Sequence, residues 1–379
     1  MDEHAPQPAV LVSQDEADAA FVMLSGRKVL LGVSGGPDSV ALMGLIAAWS
    51  RRLGQAAPAV AVVDHGLRPG SADEAAFVVA SAEALGLGAA ILPWTGPKPA
   101  SALQDSARRA RYRLLAAHAR TIGADMLVTA HTEDDQAETL MMRLAGGSGL
   151  TGLAGMRRQT LSAGMPHARP ALGWSKARLI ATCRQHGWGW INDPSNADQR
   201  FARVRWRAIL PVLAAEGLDA GRLGVLARRL AAADEALDEI SDRALQSCRI
   251  AATGAGWQLD FRRLAGYPSA IVMRALGRML SSPPAHGAAS EDAVTAQAGL
   301  RLQRLEACTE ALLDALRTGR AVRRTLGGQV LALDREGLLA GQPEPPRRRG
   351  SARAGEHAAH GAPDSGIDPA GKQARRDPR

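Results

Sequence analysis

The sequence is poor in cysteine, in aromatic residues and in long apolar runs. Three of its 379 residues are cysteines, Cys183, Cys248 and Cys308, and no two of them form a C-x-x-C pair. So sparse and odd a set excludes a disulfide framework and a zinc ribbon, and a reducing, cytoplasmic setting is expected. Phe, Trp and Tyr make up 3% of a chain that is 46% hydrophobic, so the core must be built mainly from Ala, Leu and Val. The longest apolar run, Val40 to Trp49, falls short of the roughly 20 residues that cross a bilayer. The chain starts Met1-Asp2-Glu3-His4, without a basic stretch followed by an apolar one. Neither a signal peptide nor a membrane partner is expected.

Acidic residues are in the minority. Forty-six Lys and Arg against 38 Asp and Glu give a net charge of +8 and a pI near 10.2. A balance this basic suits a polyanionic partner such as nucleic acid; a basic, solvated surface is the plainer alternative.

Between residues 20 and 145 short apolar runs alternate with helical patterns. Strands are expected at Lys28–Ser34, Ala59–His65, Ala89–Trp94 and Asp125–Ala130, and helices at Asp38–Leu53, Ala72–Leu85, Leu103–Ile122 and Thr132–Leu144. Such alternation predicts an α/β fold with a doubly wound parallel sheet covered on both faces. A Gly-rich turn follows at Gly146–Gly155, then helical patterns at Ser175–Gln185 and Phe201–Glu216, the last with Pro211 expected to kink or break it. These elements assign residues 1–216 to one domain. Residues 217–340 change texture and read as a smaller, mostly helical α+β domain. It has helices at Asp219–Ile250, Ile271–Leu280 and Leu300–Leu316, a strand at Trp257–Phe261, and a hairpin around Gly327-Gly328. Ser281–Ala298 reads as a linker. From Gly341 the chain has almost no large apolar residue, and residues 341–379 are expected to be disordered.

The sharpest motif is Ser34-Gly35-Gly36-Pro37-Asp38-Ser39, between a strand and a helix. Glycines let the backbone approach an anion, and the helix start presents unpaired N–H groups to phosphate. Ser34 and Ser39 add hydroxyls. The Asp38 carboxylate would repel phosphate, so it makes sense beside a divalent cation. The Gly-Lys-Ser/Thr ending of a Walker loop is absent, as is the dinucleotide G-x-G-x-x-G pattern. A second cluster, His131-Thr132-Glu133-Asp134-Asp135-Gln136-Ala137-Glu138-Thr139, sits at the carboxyl end of the fourth strand, where an open α/β sheet binds its ligands. Asp135 and Glu138 are three apart and share a helix face. They can hold a cation or an ammonium group; a capped, acidic helix start is the bland alternative.

The Ser34–Ser39 segment resembles the pyrophosphate loop of the N-type ATP pyrophosphatases, the PP-loop superfamily with an adenine nucleotide alpha-hydrolase-like fold. Within it, His131-x-x-x-Asp135-x-x-Glu138-Thr139 is similar to the signature of the tRNA(Ile)-lysidine synthetases. So are Val63-Asp64-His65-Gly66-Leu67-Arg68, Ala110-Arg111-Tyr112, Gly147–Met156, Arg169-Pro170, Asp193-Pro194-Ser195-Asn196 and Phe201-x-Arg203-x-x-x-Arg207. The resemblance covers about residues 25–215; Ala171 and Val204 depart from its usual Leu and Asn.

The resemblance implies a ligase that uses ATP and Mg2+, with Asp38 as metal ligand. It would join L-lysine to C2 of the wobble cytidine of an isoleucine tRNA with a CAU anticodon, through an adenylated cytidine. On that basis Asp135 and Glu138 are expected to hold the lysine ammonium group, with His131 as a proton acceptor or, equally, a structural turn residue. Arg111 is the candidate for substrate phosphate or carboxylate. Arg203 and Arg207, four apart on one helix face, are expected to grip the tRNA backbone. Trp188, Trp190 and Trp206 are expected in the core. A homodimer is compatible with all of this. The rivals are a sulfur-transferring enzyme of the same superfamily, an amidotransferase, and a silent RNA-binding protein.

Overall fold

The computed structural model describes residues 10–96, 98–99, 103–192, 202–253, 256–281 and 302–345. The apolar runs fold as β1 (Val29–Gly32), β2 (Ala59–Asp64), β3 (Ala89–Pro93) and β4 (Met126–Val128). A later hairpin of β5 (Gln159–Ser162) and β6 (Met165–Ala168) completes a sheet of order β3-β2-β1-β4-β6-β5. All neighbours pair parallel except β5 with β6. From β1 the chain passes to β2 and β3 through α2 (Pro37–Arg52) and α3 (Ser71–Ala84). It then returns through α4 (Leu103–Thr121) to β4, on the other side of β1.

The unbroken apolar sequence of β1 follows from burial on both faces. Val29 and Leu31 join Val40, Met43, Ile46 and Trp49 of α2 in one core, whereas Leu30 packs with Leu115, Ala116 and Ala119 of α4 in another. Small residues dominate the second core, as the scarcity of aromatics requires.

Sequence patterning missed three elements here. The helix α1 (Gln14–Phe21) is only eight residues long, although Ser13 and Glu16 form a reciprocal capping box at its start. The β5–β6 hairpin lacks an apolar run: β5 is solvent-facing, and β6 reads Met-Pro-His-Ala. α5 (Glu133–Ala145) and the four-residue α6 (Leu150–Leu153) lie between β4 and this hairpin, and α7 (Lys176–His186) follows it. α8 (Ala202–Ala215) runs through Pro211 without a break, contrary to expectation. Pro211 lies on an exposed turn, where water can satisfy the carbonyl that loses its N–H partner.

The second unit begins with α9 (Ala220–Cys248), a 29-residue helix capped by Asp219. Its sheet is larger than expected: β7 (Arg249–Thr253), β8 (Gly256–Asp260), β9 (Val322–Leu326), β10 (Gln329–Leu333) and β11 (Leu338–Pro343) form an antiparallel sheet of order β7-β8-β11-β10-β9. α10 (Phe261–Leu264), α11 (Ser269–Ser281) and α12 (Leu302–Arg317) complete it. β11 carries order through Gly341 to Pro343, past the point where disorder was expected. Gly341 earns its place there, since a Cβ would lie 2.2 Å from the Trp257 ring. The linker at 282–298 and the tail beyond residue 345 lie outside the described residues.

One carboxylate ties the units together. Asp234 of α9 is 1% exposed and accepts from Thr151 Oγ1 at 2.7 Å, from Arg157 at 2.6 Å and from Arg274 at 2.7 Å. Thr151 lies in the Gly-rich turn, so that turn is a joint as well as a connection.

The loop-bearing helix α2 is itself wedged in place. A Cβ on Gly44 would lie 2.3–2.5 Å from the Trp188 ring, so Gly44→Ala is expected to destabilise the protein by about 1–3 kcal/mol through overpacking. Chemical denaturation of the two proteins checks this; equal midpoints at equal slopes would remove the wedge.

Candidate active site

The strand order reverses at β1: β2 lies on one side and β4 on the other. Their carboxyl ends open a crevice at this switch point, and the two motifs of the sequence line it. After β1 the chain turns through Gly35, at φ +85°, where a Cβ would strike Ile191 at 2.6 Å. Gly36 caps α2 in extended conformation, and Pro37 takes the first helical position, where its missing N–H costs nothing. Ser39 folds back to shape the turn: its hydroxyl donates to the Gly36 carbonyl at 2.9 Å and accepts from the Ser34 amide at 3.2 Å. The two hydroxyls lie 3.3 Å apart.

Asp38 opens α2 beneath this turn. Its Oδ2 lies 3.6 Å from Lys176 Nζ, at the start of α7, while its Oδ1 is buried with no hydrogen-bond partner. Burial pushes the carboxyl up to about 6; Lys176 opposes this, and Asp135 and Asp134 add to it. Lys176 was not singled out by the sequence. Its amide also donates to Asp134 at 2.7 Å, which locks α7 to the acidic cluster.

After β4 comes that cluster. Thr132 caps α5, and Asp135 Oδ2 accepts from the Thr132 amide at 3.0 Å. This leaves Asp135 Oδ1 facing Arg203 at 3.8 Å and Arg207 at 3.9 Å, both from α8. Glu138, 2% exposed, takes the close contact, with Arg207 Nε at 2.5 Å. Burial raises the Glu138 carboxyl, and Arg207 works against that rise. Spacing explains the match: residues four apart on α8 oppose residues three apart on α5. Arg203 and Arg207 thus lie over the acids of the crevice, a placement that sequence reasoning did not foresee.

The other wall is basic. Arg111 of α4 is half-buried, and burial, then Arg108, lower its affinity for the proton. Arg169 is 6% exposed and donates to the Arg157 carbonyl at 2.9 Å. His131, at the carboxyl end of β4, is held well below the ordinary imidazole range by burial and then by Arg169, Arg108, Arg111 and Arg203. Thr129 Oγ1 lies 2.8 Å from His131 Nδ1 and 2.7 Å from His167 Nε2. The pairing of β4 with β6, which sets Leu127 against His167, brings them together. Neither Thr129 nor His167 stood out in the sequence; the alternation Thr129-x-His131 at a strand end was the available sign.

Cys183 lies behind the loop, its Sγ 3.5 Å from the Pro37 carbonyl, and burial raises its thiol to about 11. Such a sulfur is protonated and inert, which disfavours thiolate chemistry at this crevice. Trp188 and Trp190 pack half-buried on the main core, and Trp206 is half-buried on α8. The segment 193–201 of the sequence motifs lies outside the described residues.

Arg207→Gln leaves the buried Glu138 carboxylate short of its donor and is expected to cost about 1–3 kcal/mol. Glu138→Gln in the same background should recover part of that loss. A double-mutant cycle by denaturation checks this; strictly additive effects would dissolve the pair.

A family model described as a PP-loop domain matches residues 11–213. The tRNA(Ile)-lysidine synthase of Methylobacterium nodulans is 49% identical over 325 residues, covering 85% of this chain and 92% of its own. That of Bradyrhizobium sp. is 40% identical over 359 residues, covering 92% and 98%. Among solved structures, the U34-tRNA thiolase NcsA of Methanococcus maripaludis is 16% identical, with a TM-score of 0.49 over 57% of this chain and 77% of its own. Identity this high over nearly the whole of both chains, with the loop and the acidic cluster set across one crevice, places the protein in the tRNA(Ile)-lysidine synthase family, and it carries that family's PP-loop domain.

Proposed function

We propose that the crevice converts the wobble cytidine of an isoleucine tRNA with a CAU anticodon to lysidine, with ATP and L-lysine as co-substrates and AMP and pyrophosphate as products. The observation that carries this is the pairing of a phosphate-shaped turn with a buried, unpartnered carboxylate oxygen. The turn offers amides and the Ser34 hydroxyl to the pyrophosphate end of ATP, with Ser39 shaping the turn from within. The Asp38 Oδ1 has no donor to satisfy it, and a cation is the chemical partner it fits. Among the described residues no cluster of three or more His, Cys, Asp or Glu could cage a metal. A Mg2+ held by one carboxylate and the substrate phosphates needs no such cage. When bound, the ion neutralises charge on the departing pyrophosphate. Adenylation of the C2 oxygen then makes AMP the leaving group, and the lysine amine displaces it.

Of Asp135 and Glu138 on α5, Asp135 has an oxygen to offer. Its Oδ1 has only long contacts to Arg203 and Arg207, whereas Glu138 is taken up by Arg207. Asp135 therefore receives the lysine ammonium group, and Glu138 holds the arginine that borders it. A free lysine amine has a pKa of about 10.4, so deprotonation at neutral pH costs about 4.6 kcal/mol. Fixed orientation beside the electrophile offsets that cost. The second unit, with Arg323 and Arg324 exposed on β9, supplies basic surface for the tRNA backbone. No helix among the described residues is long and apolar enough to cross a membrane, and the substrates suit the cytoplasm.

Pyrophosphate release and incorporation of labelled lysine, followed together on unmodified isoleucine tRNA, test the assignment. Both are expected to require ATP and to vanish in Asp38→Asn. Pyrophosphate without lysine uptake would mean another nucleophile or another RNA. Asp135→Asn should raise the KM for lysine roughly 10- to 100-fold, the loss of a charged hydrogen bond, with the KM for ATP little changed. An unchanged lysine KM would sink the role of Asp135.

Asp38 also has a signature in stability. Its carboxyl titrates higher in the folded than in the unfolded chain, at about 6 against 3.8. The folded state thus loses stability as pH rises through that window. Free of ligand above pH 7, Asp38→Asn is expected to be more stable than the parent, by an amount on the order of 1–3 kcal/mol. The gap should close as the pH falls through about 6 towards 3.8. Thermal unfolding across this range checks it, and a gap that widens toward acid would reverse the sign.

A further inference from the structure

The basic wall holds a continuous chain of buried polar groups that the proposed chemistry does not yet use. Ser162 Oγ lies 2.8 Å from His167 Nδ1, His167 Nε2 lies 2.7 Å from Thr129 Oγ1, and Thr129 Oγ1 lies 2.8 Å from His131 Nδ1. Thr129 and His167 in it are buried, as is Arg169 beside it; they come from the residue that follows β4, from β6 and from the residue that follows β6. Chains of this kind can run in either direction, and the direction decides what His131 is. Run one way, His131 offers a lone pair at Nε2 and can take a proton. Run the other way, it offers an N–H.

Arg169 fixes the direction. Its Nη2 lies 3.1 Å from His167 Nδ1, and a guanidinium nitrogen only donates. His167 Nδ1 therefore accepts, and the Ser162 hydroxyl turns the same way. His167 is neutral, held down to about 2 by burial and then by Arg169. A neutral imidazole that accepts at Nδ1 carries its proton at Nε2 and donates to Thr129 Oγ1. A hydroxyl oxygen can accept twice but must also place its one proton, and among the described residues the buried Thr129 Oγ1 has no partner other than the two rings, so its proton goes to His131 Nδ1. His131, neutral in the same basic surroundings, is then protonated at Nε2. That atom has no partner among the described residues.

We propose that Arg169, His167 and Thr129 form a one-way positioning chain that locks His131 in its Nε2–H form, so that His131 is a hydrogen-bond donor to an anionic substrate oxygen and not the base that deprotonates lysine. The naming of a substrate oxygen rests on the lysidine reading of the site. The direction of the chain rests on geometry alone. Surroundings agree with the role: Arg108, Arg111, Arg169 and Arg203 set a positive field at His131, which suits a phosphoryl or pyrimidine oxygen gaining charge and repels an ammonium group. Arg169-Pro170 thereby acquires a purpose. The arginine polarises the chain, and the proline starts the turn that leads away from β6.

Long-range proton–nitrogen spectra of the histidine rings in the full-length protein read the tautomers directly, whether or not the protein makes lysidine. His131→Gln and His167→Gln assign the signals. Both rings are expected as the Nε2–H form; His131 found as Nδ1–H overturns the proposal. Activity gives an independent reading. Glutamine keeps an N–H near the place of Nε2 but cannot accept a proton, so His131→Gln should retain activity within about tenfold of the parent. His131→Ala should lose roughly 100-fold or more in kcat, the usual loss when a donor to a charged oxygen is removed. Equal loss in both variants overturns the proposal. Thr129→Val should cut kcat with the KM for ATP nearly unchanged and leave His131 as a mixture of tautomers, and Thr129→Ser should restore both. A single Nε2–H form persisting in Thr129→Val would show that the chain does not set it. A parent protein inactive in lysine transfer, yet with both tautomers as expected, would overturn the substrate and leave the chain standing.

Discussion

Because β2 follows β1 on one side and β4 flanks it on the other, the segments leaving their carboxyl ends part and cannot fill the space between them. This single constraint of strand order sets the rest. It leaves a gap at the start of α2, where helix amides are unpaired, and at the start of α5, where carboxylates find favourable caps. Everything the site does is an answer to charge brought into that gap. Asp38 is left with an unsatisfied oxygen. Glu138 is neutralised by an arginine from α8, and the opposite wall is lined with guanidinium groups, Arg111 and Arg169, that have no ion pair among the described residues.

Separation of charge across so narrow a crevice has a chemical use. One wall is acidic and suits a cationic amine; the other is basic and suits developing negative charge on oxygen. Reaction between an amine and an adenylated oxygen needs both, a few ångströms apart, without the two walls collapsing onto each other. Arg203 and Arg207 buffer the boundary: both approach Asp135 only at long range, and Arg207 spends its close contact on Glu138. The hydrogen-bond chain through Thr129 and His167 keeps the imidazole on the basic side neutral, so that wall carries direction without adding another cation.

Much of this was legible in the residues. The loop Ser34–Ser39 announces itself because glycine, proline and serine together mark a tight turn into a helix, and the structure has that turn there. The spacing of Asp135 and Glu138 on one face of a helix also survives translation into three dimensions. What stayed hidden depends on pairing between distant segments. β6 reads Met-Pro-His-Ala, which gives no strand signal, yet its register against β4 alone puts His167 beside Thr129. Lys176 joins the site through the packing of α7 on α2, and nothing local marks it. Arg203 and Arg207 were correctly read as sharing a face. The direction in which that face looks is decided by how α8 crosses α5, a tertiary fact that basic residues four apart do not contain. Pro211 misled for a similar reason, since its cost depends on whether water reaches the carbonyl it leaves unpaired.

The placement of the three cysteines has a practical corollary. All are free of disulfides and nearly inaccessible, Cys183 behind the nucleotide loop and Cys248 and Cys308 within the core of the second unit. A thiol-directed reagent meets none of them in the native chain. Each becomes a clock for the opening of its own surroundings, one for the catalytic layer and two for the appended sheet. Labelling rates at the individual sites would thus time whether the two halves of the molecule come apart together or in turn.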